Sequence, residues 1–161
     1  MTLNNRILLV EDRIGDIKWL IEYLEKRGYE IDQVVNERAA RLKLDELQKA
    51  LTEGKSPYCL AIVDIMVPIM DIMDLVDLED DFYEDSATTG IRLCRYAREE
   101  LKISEEELPI VCLSSRSEEE EIRKELREIG IVDVFSRVPQ SGEENIRAYI
   151  GRKLPKIASE R

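Results

Sequence analysis

"LAIVDIMVP", residues 60–68, sets Leu60, Ala61, Ile62 and Val63 in an unbroken apolar run, delivers a single acid, Asp64, and turns at Pro68. Four consecutive apolar residues rich in β-branched side chains suit a strand buried on both faces, as in a parallel sheet. An ionised carboxylate is costly inside such a strand unless it is paired or stands at the strand's end. The stretch therefore places Asp64 at the carboxyl edge of a sheet, where open α/β folds gather their ligands.

Working outward, "RILLVED" (6–12) repeats the pattern and reads as the first strand, ending in Glu11 and Asp12. From Asp16 the residues Ile17, Leu20, Ile21 and Leu24 recur at helical spacing, with Gly28 just past the end. "YEIDQVVN" is a second strand, and residues 39–53 form a helix through Leu42, Leu47, Ala50 and Leu51 before the turn "EGKSP". Beyond Pro68 the regularity fails until a helix from about Gly90. "LPIVCLSS" is a fourth strand, "SEEEEIRKELREIG" a fourth helix ending at Gly130, "IVDVFS" a fifth strand, and "SGEENIRAYIGRKL" a fifth helix with Ser141 as its N-cap. Strict alternation implies a parallel sheet covered on both faces through right-handed crossovers. The expected fold class is α/β, a flavodoxin-like doubly wound sheet of five strands in the order 2-1-3-4-5 with five helices. One domain is expected over 1–161, with a core at about 5–153, an insertion at about 69–89 and a tail at about 154–161.

Composition narrows the function. The 161 residues carry 35 acids against 24 bases, a formal charge of −11, which repels phosphate backbones and anionic membranes and argues against direct nucleic-acid binding. The N-terminal apolar stretch is too short for a signal peptide, and no segment approaches the roughly 20 apolar residues of a membrane span, so membrane insertion is not expected and a cytoplasmic location is. Cys59, Cys94 and Cys112 read as reduced core thiols, and Trp19 as a packing residue. Histidine is absent, which leaves carboxylates, hydroxyls and cations to do any chemistry.

The topology brings Glu11 and Asp12, Asp64, Ser114 and Arg137 to one edge of the sheet. Acids crowded in this way raise one another's pKa unless a cation neutralises them, and a hard divalent ion with oxygen ligands such as Mg²⁺ meets that need.

"ILLVEDR", "LAIVDIMVP", "PIVCLSSRSEEE" and "GIVDVFSRVP", in this order and spacing, resemble the response-regulator receiver domain of two-component signalling over nearly the whole chain. The resemblance implies Asp64 as phosphoacceptor, Glu11 and Asp12 as the acidic pair holding Mg²⁺, the Met66 backbone carbonyl as a further metal ligand, and Ser114 as the hydroxyl that hydrogen-bonds the phosphoryl group. Arg137 supplies the cation after strand five. It also implies a histidine kinase or histidine phosphotransfer protein as donor, a downstream protein target, an option to form a homodimer, and no enzymatic turnover beyond self-catalysed phosphoryl transfer and dephosphorylation.

The chain departs from the family's pattern in three places. Arg137 and Val138 stand where lysine and proline are usual, with Pro139 one place late, and a guanidinium is larger and differently hydrated than an ammonium. Val134 takes the aromatic switch position, with Phe135 facing the other way. Residues 69–89 carry Asp71, Asp74, Asp77, Glu79, Asp80, Asp81, Glu84 and Asp85, with no base between Lys55 and Arg92. Like charge favours a solvated loop there; the interleaved Ile69, Met70, Ile72, Met73, Leu75, Val76 and Leu78 motivate the alternative of a partner-recognition or lid element. The alternative function is a phosphorylation-independent pseudo-receiver that docks proteins. An aspartyl-phosphate phosphatase ranks below it because Met66 stands where a second aspartate is needed, and a flavodoxin because an acidic pair follows strand one.

Overall fold

The computed structural model describes residues 4–68, 89–114, 120–137 and 139–154, and side chains in the last segment from 146 onward. Strands β1 (Arg6–Val10), β2 (Glu30–Val34), β3 (Leu60–Asp64), β4 (Ile110–Ser114) and β5 (Val134–Ser136) form one parallel sheet in the order β2-β1-β3-β4-β5. Between and after them run α1 (Lys18–Lys26, entered through a 3-10 turn at Ile14–Ile17), α2 (Glu37–Thr52), α3 (Thr89–Arg95, continued by a π-helical turn at Tyr96–Glu100), α4 (Glu120–Glu128) and α5 (Pro139–Lys153). This is the five-stranded, five-helix doubly wound fold that the sequence pattern predicts.

The apolar runs are continuous because both faces of the sheet are covered. Every residue of β3 and β4 is buried. Alternation sends Leu8, Val10, Ala61, Val63, Ile110 and Cys112 into one core, against Leu44 of α2, Leu93 of α3 and Leu126 of α4. Their neighbours Ile7, Leu9, Leu60, Ile62, Val111 and Leu113 enter a second core with Leu20 and Leu24 of α1 and Ile146 and Ile150 of α5. Each such aliphatic side chain contributes about 1.5–3 kcal/mol on burial. Cys94 and Cys112 are core residues, and Trp19 packs half-buried on the second core.

Local boundaries move for local reasons. Helix α1 begins at Lys18, not Asp16, because a 3-10 turn takes up the first residues. Helix α2 begins at Glu37, two residues early, because the Asn36 side chain accepts the Ala39 N–H at 2.7 Å and caps it. Helix α5 begins at Pro139, not after Ser141: proline has no N–H to leave unpaired in a first turn. Gly28 and Gly130 follow α1 and α4 with φ of 98° and 90°, the left-handed C-terminal positions expected of them. Strand β5 is shorter than "IVDVFS". It pairs Val134 with Cys112 in the first core and turns Phe135 to the second, 5.7 Å from the Tyr149 ring. The acidic stretch 69–88, Val138 and residues 155–161 of the tail lie outside the described residues.

Candidate functional site

Parallel pairing decides which side chains meet. Val10 pairs with Val63, so the residues that follow, Glu11 and Asp64, emerge side by side. Asp64 in turn pairs with Leu113, and Ser114 with Ser136, which brings Ser114 and Arg137 to the same edge. The Arg137 N–H donates to the Ser114 carbonyl at 3.2 Å. Each of Glu11, Asp12 and Asp64 places a carboxylate oxygen within 4.8 Å of the others'. Glu11 and Asp64 are buried and Asp12 is exposed. Ser114 is buried beside them.

The electrostatics of this edge are unbalanced. Burial first, then the hydrogen bond and the charge of Asp64, push the Glu11 carboxyl up to about 8, against the opposing pull of the Arg13 N–H and Arg137. The Arg13 N–H donates to Glu11 Oε2 at 3.2 Å. Arg137 Nη2 lies 2.6 Å from Glu11 Oε1 and 3.5 Å from Asp16 Oδ2. Despite that approach the buried Glu11 Oε1 accepts no hydrogen bond among the described residues, and Arg137 Nε finds no acceptor. A buried carboxyl that gives up its proton to a metal, beside two further carboxylates, completes a donor set suited to a hard divalent cation such as Mg²⁺.

Asp64 itself is held by the turn that follows it. The Met66 N–H donates to Asp64 Oδ1 at 3.1 Å, so Met66 stands next to Asp64, with its side chain exposed. Gly90 closes against the other side: its N–H donates to the Ile65 carbonyl at 2.7 Å, and a Cβ there would lie 2.4 Å from the Asp64 carbonyl oxygen. Only glycine fits that approach.

The structure thus brings together all of Glu11, Asp12, Asp64, Met66, Ser114 and Arg137. It differs in where Arg137 points, since the guanidinium pairs with Glu11 and Asp16. Sequence reasoning did not single out Glu37, whose buried carboxylate accepts two hydrogen bonds of 2.8 Å from Arg92, with Arg41 at 3.3 Å. The available signals were Asn36 followed by an acid after a strand, the pattern of a capped first turn, and Arg92 as the first base after the acidic stretch.

No family model and no curated protein sequence matches the chain. Solved structures do match. The phosphorylated cyanobacterial phytochrome response regulator RcpA is 18% identical, with a TM-score of 0.66 over 99% of this chain and 100% of that one. The receiver domain of the histidine kinase CKI1 from Arabidopsis thaliana, complexed with Mg²⁺ and BeF₃⁻, is 21% identical, with a TM-score of 0.62 over 92% of this chain and 91% of that one. The BeF₃⁻-activated N-terminal receiver domain of RstA from Klebsiella pneumoniae is 21% identical, with a TM-score of 0.59 over 93% and 98%. At such identities the likeness is one of fold, and it agrees with the strand order and with the acids at the ends of β1 and β3: the chain adopts the fold of a receiver domain.

Proposed function

We propose that the chain is a two-component receiver that accepts a phosphoryl group on Asp64 from a phosphohistidine of a histidine kinase or histidine phosphotransfer protein. The observation that carries this reading is the cluster of Glu11, Asp12 and Asp64, whose carboxylate oxygens lie within 4.8 Å of one another at the carboxyl edge of the sheet. An Asp64 carboxylate oxygen attacks phosphorus, the P–N bond to the donor imidazole breaks, and its electron pair leaves on the imidazole nitrogen, which takes a proton from solvent. Glu11, Asp12, Asp64 and the Met66 carbonyl would hold Mg²⁺. The ion would supply neutralisation of charge on the phosphoryl oxygens. The Met66 N–H orients the nucleophile, Ser114 is positioned to hydrogen-bond a phosphoryl oxygen, and Arg137 adds positive charge after moving from Glu11. Hydrolysis by water returns Asp64 to its free form, so the protein turns over no separate substrate.

The output is a changed contact surface. A phosphoryl group adds about −1.5 to −2 charge at the edge shared by β4 and β5, which biases the face built from α4, β5 and α5 for a downstream protein target or a second copy of the chain. No described helix is long and apolar enough to cross a membrane, and a cytoplasmic site of action fits a kinase partner.

A second reading, a protein-binding module that works without phosphorylation, is favoured by Arg137 Nη2 lying 2.6 Å from Glu11, a cation already placed on a metal-ligand candidate. Intact-mass analysis after incubation with acetyl phosphate, with and without Mg²⁺, separates the two. A Mg²⁺-dependent phosphoryl adduct absent from Asp64→Asn is the expected result; no adduct and no Mg²⁺ binding would establish the second reading.

A further inference from the structure

Beside the phosphoacceptor lies a charged cluster that the chemistry above does not use. Glu37 opens α2 behind its cap Asn36 and is 4% exposed. Its backbone N–H donates to the Pro68 carbonyl at 2.8 Å. Its carboxylate takes both arms of a fork from Arg92, Nε to Oε2 and Nη2 to Oε1, each at 2.8 Å. Arg92 stands two residues after Gly90, the residue that bonds the Ile65 carbonyl and packs on the Asp64 carbonyl. The turn from Ile65 to Pro68 is therefore held at both ends, at Pro68 by the Glu37 backbone and at Ile65 by Gly90, which the Glu37 carboxylate fixes through Arg92. That turn carries the Met66 N–H onto Asp64 Oδ1.

With the Glu37 carboxylate buried and the Arg92 side chain 40% exposed, this ion pair is a weak device for stability. A bidentate guanidinium–carboxylate contact supplies direction instead. Metal and phosphoryl chemistry needs its groups fixed to about half an ångström, and the direction here is spent on the turn that aims Asp64. We propose that Glu37 is a positioning residue for the Asp64 site, a role that rests on the reading of Asp64 as a metal-dependent phosphoryl acceptor.

The test titrates Mg²⁺ calorimetrically into the full chain and follows phosphorylation by acetyl phosphate, comparing wild-type protein with Glu37→Gln and Arg92→Lys. Glu37→Gln keeps the backbone N–H and the side-chain length; Arg92→Lys keeps the charge and loses the fork. Leu24→Ala is the stability control, since Leu24 is fully buried in the last turn of α1, and α1 runs away from the carboxyl edge. Glu37→Gln is expected to weaken Mg²⁺ binding by about ten-fold, as loss of an outer-shell partner does, and Arg92→Lys to weaken it in the same direction by less. Leu24→Ala lowers the melting temperature and leaves Mg²⁺ affinity unchanged. Wild-type affinity in both Glu37→Gln and Arg92→Lys, or an equal loss in Leu24→Ala, overturns the positioning role alone. A wild-type chain that takes up neither Mg²⁺ nor phosphoryl overturns the proposed function, and the positioning role falls with it.

Discussion

Glu37 and Glu11 are both buried glutamates at the carboxyl edge of the sheet, yet their surroundings differ in sign. Glu37 meets the guanidinium groups of Arg92 and Arg41. Glu11 shares the guanidinium of Arg137 with Asp16 and stands within reach of Asp12 and Asp64. At the first centre, among the described residues, two guanidinium groups face one carboxylate, and both of its oxygens accept hydrogen bonds. At the second, among the described residues, three carboxylates within 4.8 Å of one another face the guanidinium of Arg137. Burying charge without compensation is costly, so the second centre makes physical sense as one that a ligand completes, and the first as one that is already complete.

Gly90 joins the two centres and offers the largest perturbation. A methyl group there meets the Asp64 carbonyl oxygen at 2.4 Å and Ile65 Cα at 2.5 Å, both backbone atoms that no rotamer change can move. Gly90→Ala is expected to cost about 3 kcal/mol, the upper part of the range for overpacking, and to abolish phosphorylation by acetyl phosphate. Urea denaturation and intact mass check the two effects. A variant of wild-type stability and phosphorylation would show that the approach of α3 to Asp64 is not needed.

Mg²⁺ itself comes next. At 100 times its dissociation constant it is expected to stabilise the wild-type chain by about 2.7 kcal/mol, read as a rise in melting temperature. Glu11→Gln should lose that rise, and near pH 7 without metal should be more stable than wild type, because a neutral amide is buried there without taking up a proton on folding. Glu37→Gln is expected to do the opposite without metal, losing stability as charge-assisted hydrogen bonds from Arg92 are removed. Two Glu→Gln substitutions with shifts of the same sign would erase the distinction between a completed and an incomplete centre.

Periodicity made the sheet legible, because β3 and β4 are buried on both faces and leave continuous apolar runs in the sequence, while Gly28 and Gly130 mark helix ends by a conformation that other residues resist. The acids at the site were legible for the same reason: an acid directly after a buried run can only stand at its end. Arg137 shows the limit. Its position follows from β5, but its choice of Glu11 and Asp16 over Asp64 depends on the reach of a long side chain across the sheet edge. Glu37 and Arg92 lie 55 residues apart, and nothing in local periodicity pairs them. The start of α2 was misplaced because apolar spacing reports the buried face of a helix, whereas Asn36 and Glu37 open it through capping and charge.

The smallest difference between the two centres is one of pH. Because the Glu11 carboxyl is raised from 4.5 to about 8 in the folded chain, the folded state keeps a proton that the unfolded state releases near pH 4.5. The stability this contributes is fully present below pH 4.5 and is lost as pH rises through about 8, with a slope limited for one proton to about 1.4 kcal/mol per pH unit. Metal-free wild-type protein is therefore expected to lose melting temperature between pH 5 and 8 relative to Glu11→Gln, which has no proton to lose there. Saturating Mg²⁺ should flatten the wild-type profile, since the metal takes the place of the proton on the same carboxylate. Parallel profiles for wild type and Glu11→Gln would mean that Arg137, 2.6 Å away, already neutralises Glu11, and that the edge has no charge left for a metal to balance.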